Sequence, residues 1–287
     1  MEIKTVLVIG AGTMGHGIAQ VVAQAGSSAR LFDVDATLAE TGLAKIRQNL
    51  EKGVEKGKVV PADRDATLAR LSTTTDLKRG AADADLVVEA VPERMELKKR
   101  LFADLGSSAP PAAILASNTS SLSIAEIAAA SGRPDRVVGM HFFNPVHIKP
   151  LLELVRTPMT SAETLDAAVA FGKRIGKTVI VVKDSPGFAT SRLGIALGLE
   201  AIRMVEEGVA SAEDIDAAMT LGYGHAMGPL KTTDLVGLDV RLGIADHLNR
   251  SFPGGRFEPP TLLRKMVGEG KLGQKSGRGF YDWSAAK

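Results

Sequence analysis

The chain has 287 residues, of which 45% are apolar and 24% charged, with a formal net charge of +2 and no cysteine. That apolar share suits a globular protein with a sizeable core and argues against a disordered or collagen-like chain, and the length points to about two domains. Without cysteine there is no disulfide framework, thiolate metal site or cysteine nucleophile, and no metal site is expected.

Met1-Glu2-Ile3-Lys4 leads straight into a strand-like run at 5–9, without the charged and apolar regions of a signal peptide. Further apolar runs follow at 29–32, 86–90, 113–116, 137–141, 151–155 and 178–182. Several are continuous rather than alternating, as for strands covered on both faces. Between them, helical spacing covers 13–25, 36–56, 95–107, 124–130 and 162–175. Two helix starts read as capping boxes, Ser123-Ile124-Ala125-Glu126 and Thr160-Ser161-Ala162-Glu163. Strand–helix–strand alternation implies parallel pairing, so residues 1–183 are expected to form a doubly wound, Rossmann-type α/β domain.

The pattern changes at Lys183-Asp184-Ser185-Pro186-Gly187. Beyond it, helical periodicity runs through 188–207, 212–221, 233–249 and 261–269, with joints rich in Gly and Pro at 222–229 and 252–260. Residues 184–287 are expected to form an all-helical domain. Gly277-Arg278-Gly279-Phe280-Tyr281 reads as a turn whose aromatics pack back onto the body. No apolar run approaches the roughly 18–20 residues that cross a bilayer. The densest basic spot, Lys98-Lys99-Arg100, would spread around a helix. A cytoplasmic protein that engages neither membrane nor nucleic acid is expected.

Gly10-Ala11-Gly12-Thr13-Met14-Gly15 fits G-x-G-x-x-G between a strand and a helix. Its amides and the helix dipole would face a pyrophosphate, with Gly12 allowing close approach and Gly15 tight helix–strand packing. Asp33 ends the second strand at about the 20-residue offset of the acid that binds the adenine ribose. A carboxylate there favours the free 2′-hydroxyl of NAD over the 2′-phosphate of NADP, and Val34-Asp35-Ala36 adds no cation to reverse this. FAD stays compatible with the motif alone.

Ligands in such sheets bind beyond the carboxyl ends of the strands. There the chain places the hydroxyl loop Ser117-Asn118-Thr119-Ser120-Ser121, then His141 with Phe142-Phe143-Asn144-Pro145, and Glu153 among aliphatic residues. A buried acid needs a partner. A histidine in reach would make with it a general base whose tautomer is fixed by the carboxylate. Glu153 could instead pair with Arg156, and the hydroxyl loop could simply cap the helix at 124–130.

The strings GAGTMGHGIAQ, DLVVEAVPE, ASNTSSLSI, HFFNPV, KDSPGF, EDIDAAM, MGPLKTTDLVGLD and GRGFYDW run through the chain. Together they make it resemble, over about residues 3–285, the short-chain L-3-hydroxyacyl-CoA dehydrogenases, including 3-hydroxybutyryl-CoA dehydrogenases. The resemblance implies oxidation of a (3S)-3-hydroxyacyl-CoA by NAD. In it His141 is the base, Glu153 its support, Ser120 the hydroxyl-binding serine, and Asn144 a residue at the nicotinamide end. It also implies that Glu93, Lys98 and Lys275 contact or close over NAD, alongside Gly10, Gly12, Thr13, Met14, Gly15 and Asp33. Asn49 and Lys56 would grip the CoA part, although a lysine there could equally be a solvated surface residue. The helical domain would close the substrate cleft and form a homodimer. One position departs from the family string PGF-x-x-NR: Ser191 stands where the family has an active-site asparagine. Other readings are a related dehydrogenase of a free hydroxy acid (the L-gulonate type) and an inactive NAD-binding structural protein.

Overall fold

The computed structural model describes residues 2–284. The chain divides into two units, Met1–Ser185 and Pro186–Lys287, against an expected boundary after residue 183. Met1 and residues 285–287, at the outer ends of the two expected domains, lie outside the described residues.

The first unit alternates strands and helices. It begins with β1 (Thr5–Ile9), α1 (Thr13–Gln24), β2 (Ser28–Phe32), α2 (Ala36–Glu55), α3 (Pro61–Leu68), β3 (Leu71–Thr74), α4 (Leu77–Ala81) and β4 (Leu86–Glu89). It continues with α5 (Met95–Ser108), β5 (Ile114–Ser117), α6 (Ile124–Ala130), β6 (Val137–Phe142), β7 (Leu151–Arg156), α7 (Ala162–Arg174) and β8 (Thr178–Lys183). The strands form one sheet in the order β3-β2-β1-β4-β5-β6-β7-β8. The chain winds outward from β1 to β3 and returns to β4 on the other side, opening a crevice at the carboxyl ends of β1 and β4. The continuous apolar runs are explained by burial. Val6, Val8, Leu86, Val88, Ile114 and Ala116 pack in one core with Ile18 and Val22 of α1.

Parallel pairing fails at one place. β6 and β7 are antiparallel, because residues 143–150 are too few for the crossover of a dozen or more residues that parallel neighbours need. Three elements were not anticipated: α3, β3 and α4. β3 reads Leu-Ser-Thr-Thr with no fully buried residue at the sheet edge, so it carries no apolar run. In α3 only Thr67 is buried, which removes the amphipathic stripe that marks a surface helix. The N-cap half of the first capping box forms, with the Ser123 hydroxyl accepting from the Glu126 amide, while the Glu126 carboxylate pairs with Lys99 at 3.2 Å. The second is shifted by one residue: Ser161 caps the Thr164 amide, while the Thr160 hydroxyl donates to the Val137 carbonyl.

In the second unit, α8 (Thr190–Glu206), α9 (Ala212–Ala217), α10 (Pro229–Val236), α11 (Leu238–Ser251) and α12 (Thr261–Gly268) enclose their own core. Ile195, Leu199, Ile202, Leu230, Leu248 and Leu263 are buried there. The expected helix at 188–207 starts later, because Phe188 has φ 49°, outside the helical region. The expected helix at 212–221 turns π-helical at Ala218–Gly222. The one at 233–249 is two helices, broken at Gly237, whose φ of 102° suits glycine. Phe280 and Tyr281 pack back onto this core as expected. Buried Asp234 holds that segment, accepting from the Phe280 amide (3.0 Å), the Tyr281 amide (2.9 Å) and the Trp283 indole (2.8 Å). Asp216 accepts from the Tyr281 hydroxyl at 2.8 Å, and burial, with that carboxylate, pushes the phenol pKa up.

Candidate active site

The turn from β1 into α1 is shaped by glycine. A Cβ on Gly10 (φ 96°) would meet the Ala90 carbonyl oxygen at 2.6 Å, and one on Gly15 would strike the Gly10 carbonyl. Gly12, by contrast, faces open space. It starts α1 with no side-chain cap, and the first turn holds no acid. The unsatisfied first-turn amides and the positive end of the helix are thus presented to a ligand, a combination suited to a diphosphate. Asp33, at the end of β2, accepts from the Ala11 amide at 2.9 Å and from the Val34 amide at 2.8 Å. These bonds aim its carboxylate beside the glycine turn, where a dinucleotide ribose would be gripped. Thr13 is exposed, whereas Met14 packs partly against the core. These residues fit NAD.

Across the crevice lies a charged network of Glu89, Lys98 and Glu93. Glu89, fully buried at the end of β4, accepts from the Ser117 hydroxyl (2.6 Å), the Val91 amide (2.7 Å) and the Lys98 ammonium (2.6 Å). Lys98 is only 1% exposed and also lies 3.2 Å from Glu93. Glu93 in turn accepts from the Thr119 hydroxyl and, at 3.0 Å, from the Ser120 amide. Lys98, expected at the cofactor, therefore points inward and holds the acid that holds the Ser120 loop. Glu89, an acid closing the apolar run Leu86-Val87-Val88, carries the same sequence signal as Glu153, an acid among aliphatic residues. Asn118 ties this loop to the next strand, its side-chain oxygen accepting from the Phe142 amide at 2.8 Å.

His141 and Glu153 sit directly opposite each other in the β6–β7 register. The His141 Nδ1 is 2.9 Å from a Glu153 carboxylate oxygen, with the ring almost buried and Glu153 wholly so. The carboxylate selects the tautomer with the proton on Nδ1, leaving the lone pair on Nε2. The Phe143 ring lies 4.4 Å from the imidazole, tilted by 47°. Arg156, the other partner considered for Glu153, is exposed and, three residues along the strand, projects from the opposite face. Asn144 follows β6 and is exposed.

Asn49 of α2 donates to Gln20 of α1 at 3.2 Å. Together with Lys52, Lys56 and Lys58, all exposed, it lines a cleft of about 550 Å³. Ser191 and Lys275 lie in the second unit. Ser191 is half-buried in the first turn of α8, and the Lys275 ammonium is 2.7 Å from an Asp239 oxygen, which holds that carboxyl below the usual range.

Family models for the NAD binding domain and the C-terminal domain of 3-hydroxyacyl-CoA dehydrogenase match residues 5–185 and 187–283. The chain is 46% identical over 283 residues to a probable 3-hydroxybutyryl-CoA dehydrogenase of Bacillus subtilis, covering 99% of this chain and 98% of the relative. It superposes on the crystal structure of (S)-3-hydroxybutyryl-CoA dehydrogenase from Ralstonia eutropha with a TM-score of 0.95 at 40% identity, covering 98% and 99% of the two chains. A more distant likeness is to a diketoreductase described as acting on dicarbonyl compounds (TM-score 0.84, 30% identity, covering 98% and 99%).

Proposed function

Since the chain belongs to the 3-hydroxyacyl-CoA dehydrogenase family, we propose that it interconverts (3S)-3-hydroxyacyl-CoA and 3-oxoacyl-CoA, with 3-hydroxybutyryl-CoA as substrate and NAD as cofactor. The observation that carries this reading is the buried His141–Glu153 pair at the strand ends. NAD, when bound, supplies the acceptor for the hydride leaving C3. His141 takes the hydroxyl proton at Nε2 as the C3–O bond becomes a carbonyl, and returns it in the reverse direction. Glu153 stabilises the imidazolium so formed, an effect strengthened where water is excluded. Ser120, held by Glu93, donates to the substrate oxygen, and Asn144 serves the nicotinamide end.

Asp33 binds the adenine ribose and repels a 2′-phosphate, favouring NAD over NADP. Glu93 and Lys98 act on the cofactor side by shaping the Ser120 loop, and Lys275 contacts the cofactor. Asn49 and Lys56 hold the CoA moiety. Ser191 approaches the substrate oxygen through water, being shorter than the family's asparagine. The protein works as a homodimer through its helical unit, which exposes Leu193, Leu221 and Tyr223, and it works in the cytoplasm, which its lack of cysteine suits. No helix among the described residues is long and apolar enough to cross a membrane.

Action on a free hydroxy acid is the second reading; what favours it is the likeness to a diketoreductase, whose description names dicarbonyl compounds. A spectrophotometric assay separates the two. NADH oxidation is expected with acetoacetyl-CoA at a kcat/KM at least about 100-fold above that with acetoacetate, since the CoA moiety contributes binding energy spent at the reacting carbon. Equal values would favour the second reading.

A further inference from the structure

Two clefts of the first unit share a wall. In one, of about 550 Å³, Lys52, Lys56 and Lys58 stand beside Asn49. The other, of about 400 Å³, holds Lys149, Arg174 and Lys177. His147, Ile148 and Gln24 line both. Among the described residues no carboxylate lines either cleft, so His147 stands between two groups of cations with no acid in either wall.

The loop carrying His147 is firmly seated. The Lys177 ammonium, itself buried, donates to the carbonyls of Val146 and Lys149 on either side of it. Val146 presses on α1 so closely that a Cβ on Gly17 would lie 2.9 Å from it. His16 of α1 faces the same region, its Nδ1 bonded to the Gly12 carbonyl at 2.7 Å. Partial burial, then His16 and Lys177, hold the His147 pKa below its ordinary value. An imidazole placed among cations in this way is neutral near pH 7 and lacks only an anion to favour its charged form.

We propose that His147 is a proton-linked ligand for the phosphate-bearing end of the CoA thioester, taking up a proton from solvent as that end enters the clefts. The proposal rests on the reading of the substrate as an acyl-CoA. Binding and protonation then support each other: each phosphate charge favours the imidazolium, and the imidazolium adds one more donor and one more positive charge. The sign follows directly. The liganded form binds more protons than the free form, so affinity strengthens as pH falls through the histidine range and the gain is lost above it.

The test is titration calorimetry of the full-length protein with CoA at pH 7, in two buffers of different ionisation enthalpy. Wild-type protein is expected to take up a fraction of a proton on binding. His147→Gln should abolish most of that uptake, weaken CoA about three- to tenfold at pH 6.5, and leave affinity at pH 8.5 unchanged. Retained NADH binding would show that the variant is folded. Dephospho-CoA assigns the effect: uptake that persists points to the diphosphate, and uptake that vanishes points to the 3′-phosphate, both consistent with the proposal. Wild-type uptake and pH dependence in His147→Gln would overturn it, leaving the acyl-CoA reading intact. A failure of wild-type protein to bind CoA at all would overturn that reading and this inference with it.

Discussion

His141 and Glu153 face each other because β6 and β7 run antiparallel, which sets them in register with 2.9 Å between the imidazole Nδ1 and the carboxylate. A parallel β7 would need a crossover and would lose this hairpin-like juxtaposition. The departure from parallel winding is thus what brings the two groups together. General-base assistance is worth about 10²–10⁴ in rate. His141→Gln is expected to lower kcat by at least about 100-fold while NADH still binds, as read by fluorescence titration. Glu153→Gln should lower kcat in the same direction, since an amide neither fixes the tautomer nor stabilises the imidazolium. Near-normal turnover by His141→Gln would remove the imidazole from the mechanism.

The Lys98 ammonium serves two acids, Glu89 at 2.6 Å and Glu93 at 3.2 Å. Removing one partner of a buried ion pair costs about 3–5 kcal/mol, because the other charge is left buried and uncompensated. Lys98→Met is therefore expected to lower stability by that order in urea unfolding. Adding Glu89→Gln should recover part of the loss, as it neutralises the stranded carboxylate. A loss below about 1 kcal/mol for the single variant, the range of exposed pairs, would contradict the buried placement.

Asp33 combines two jobs, accepting the Ala11 amide and presenting negative charge beside the glycine turn. Asp33→Asn keeps an oxygen for one of the two amides, those of Ala11 and Val34, and removes the charge. The ratio of kcat/KM for NADH over NADPH should fall at least about tenfold, because the repulsion of a 2′-phosphate is relieved. An unchanged ratio would place cofactor choice elsewhere.

Asp234 receives three donors from residues 280–283, including the indole of the chain's single tryptophan. Asp234→Ala strands these donors at about 1–3 kcal/mol for each that stays buried. The helical unit is expected to lose roughly 3 kcal/mol or more, with Trp283 emission shifting to the red as the segment loosens. Unaltered emission and melting temperature would show that the segment is held by its aromatic packing alone.

Much of this was legible from the chain itself. The strands of the sheet centre show as unbroken apolar runs because both faces are covered, and the glycine turn shows because only glycine fits where a Cβ would strike a carbonyl. The strand β3 and the helices α3 and α4 were not legible, since edge and surface elements bury too little to impose a period. The break at Gly237 was hidden for a different reason: helical spacing continues on either side of it, and one backbone angle decides the matter.

Local chemistry along the chain determined the fold class, the nucleotide turn with Asp33, and the identity of His141 and Glu153 as the groups to watch, because each depends on residue type and short-range spacing. Only the tertiary structure decided which groups meet. The bond from Ser117 on β5 to Glu89 on β4, and the position of His147 between two cationic clefts, bring together residues far apart in sequence, and such pairings are set by sheet order and strand direction, which no single stretch of chain encodes.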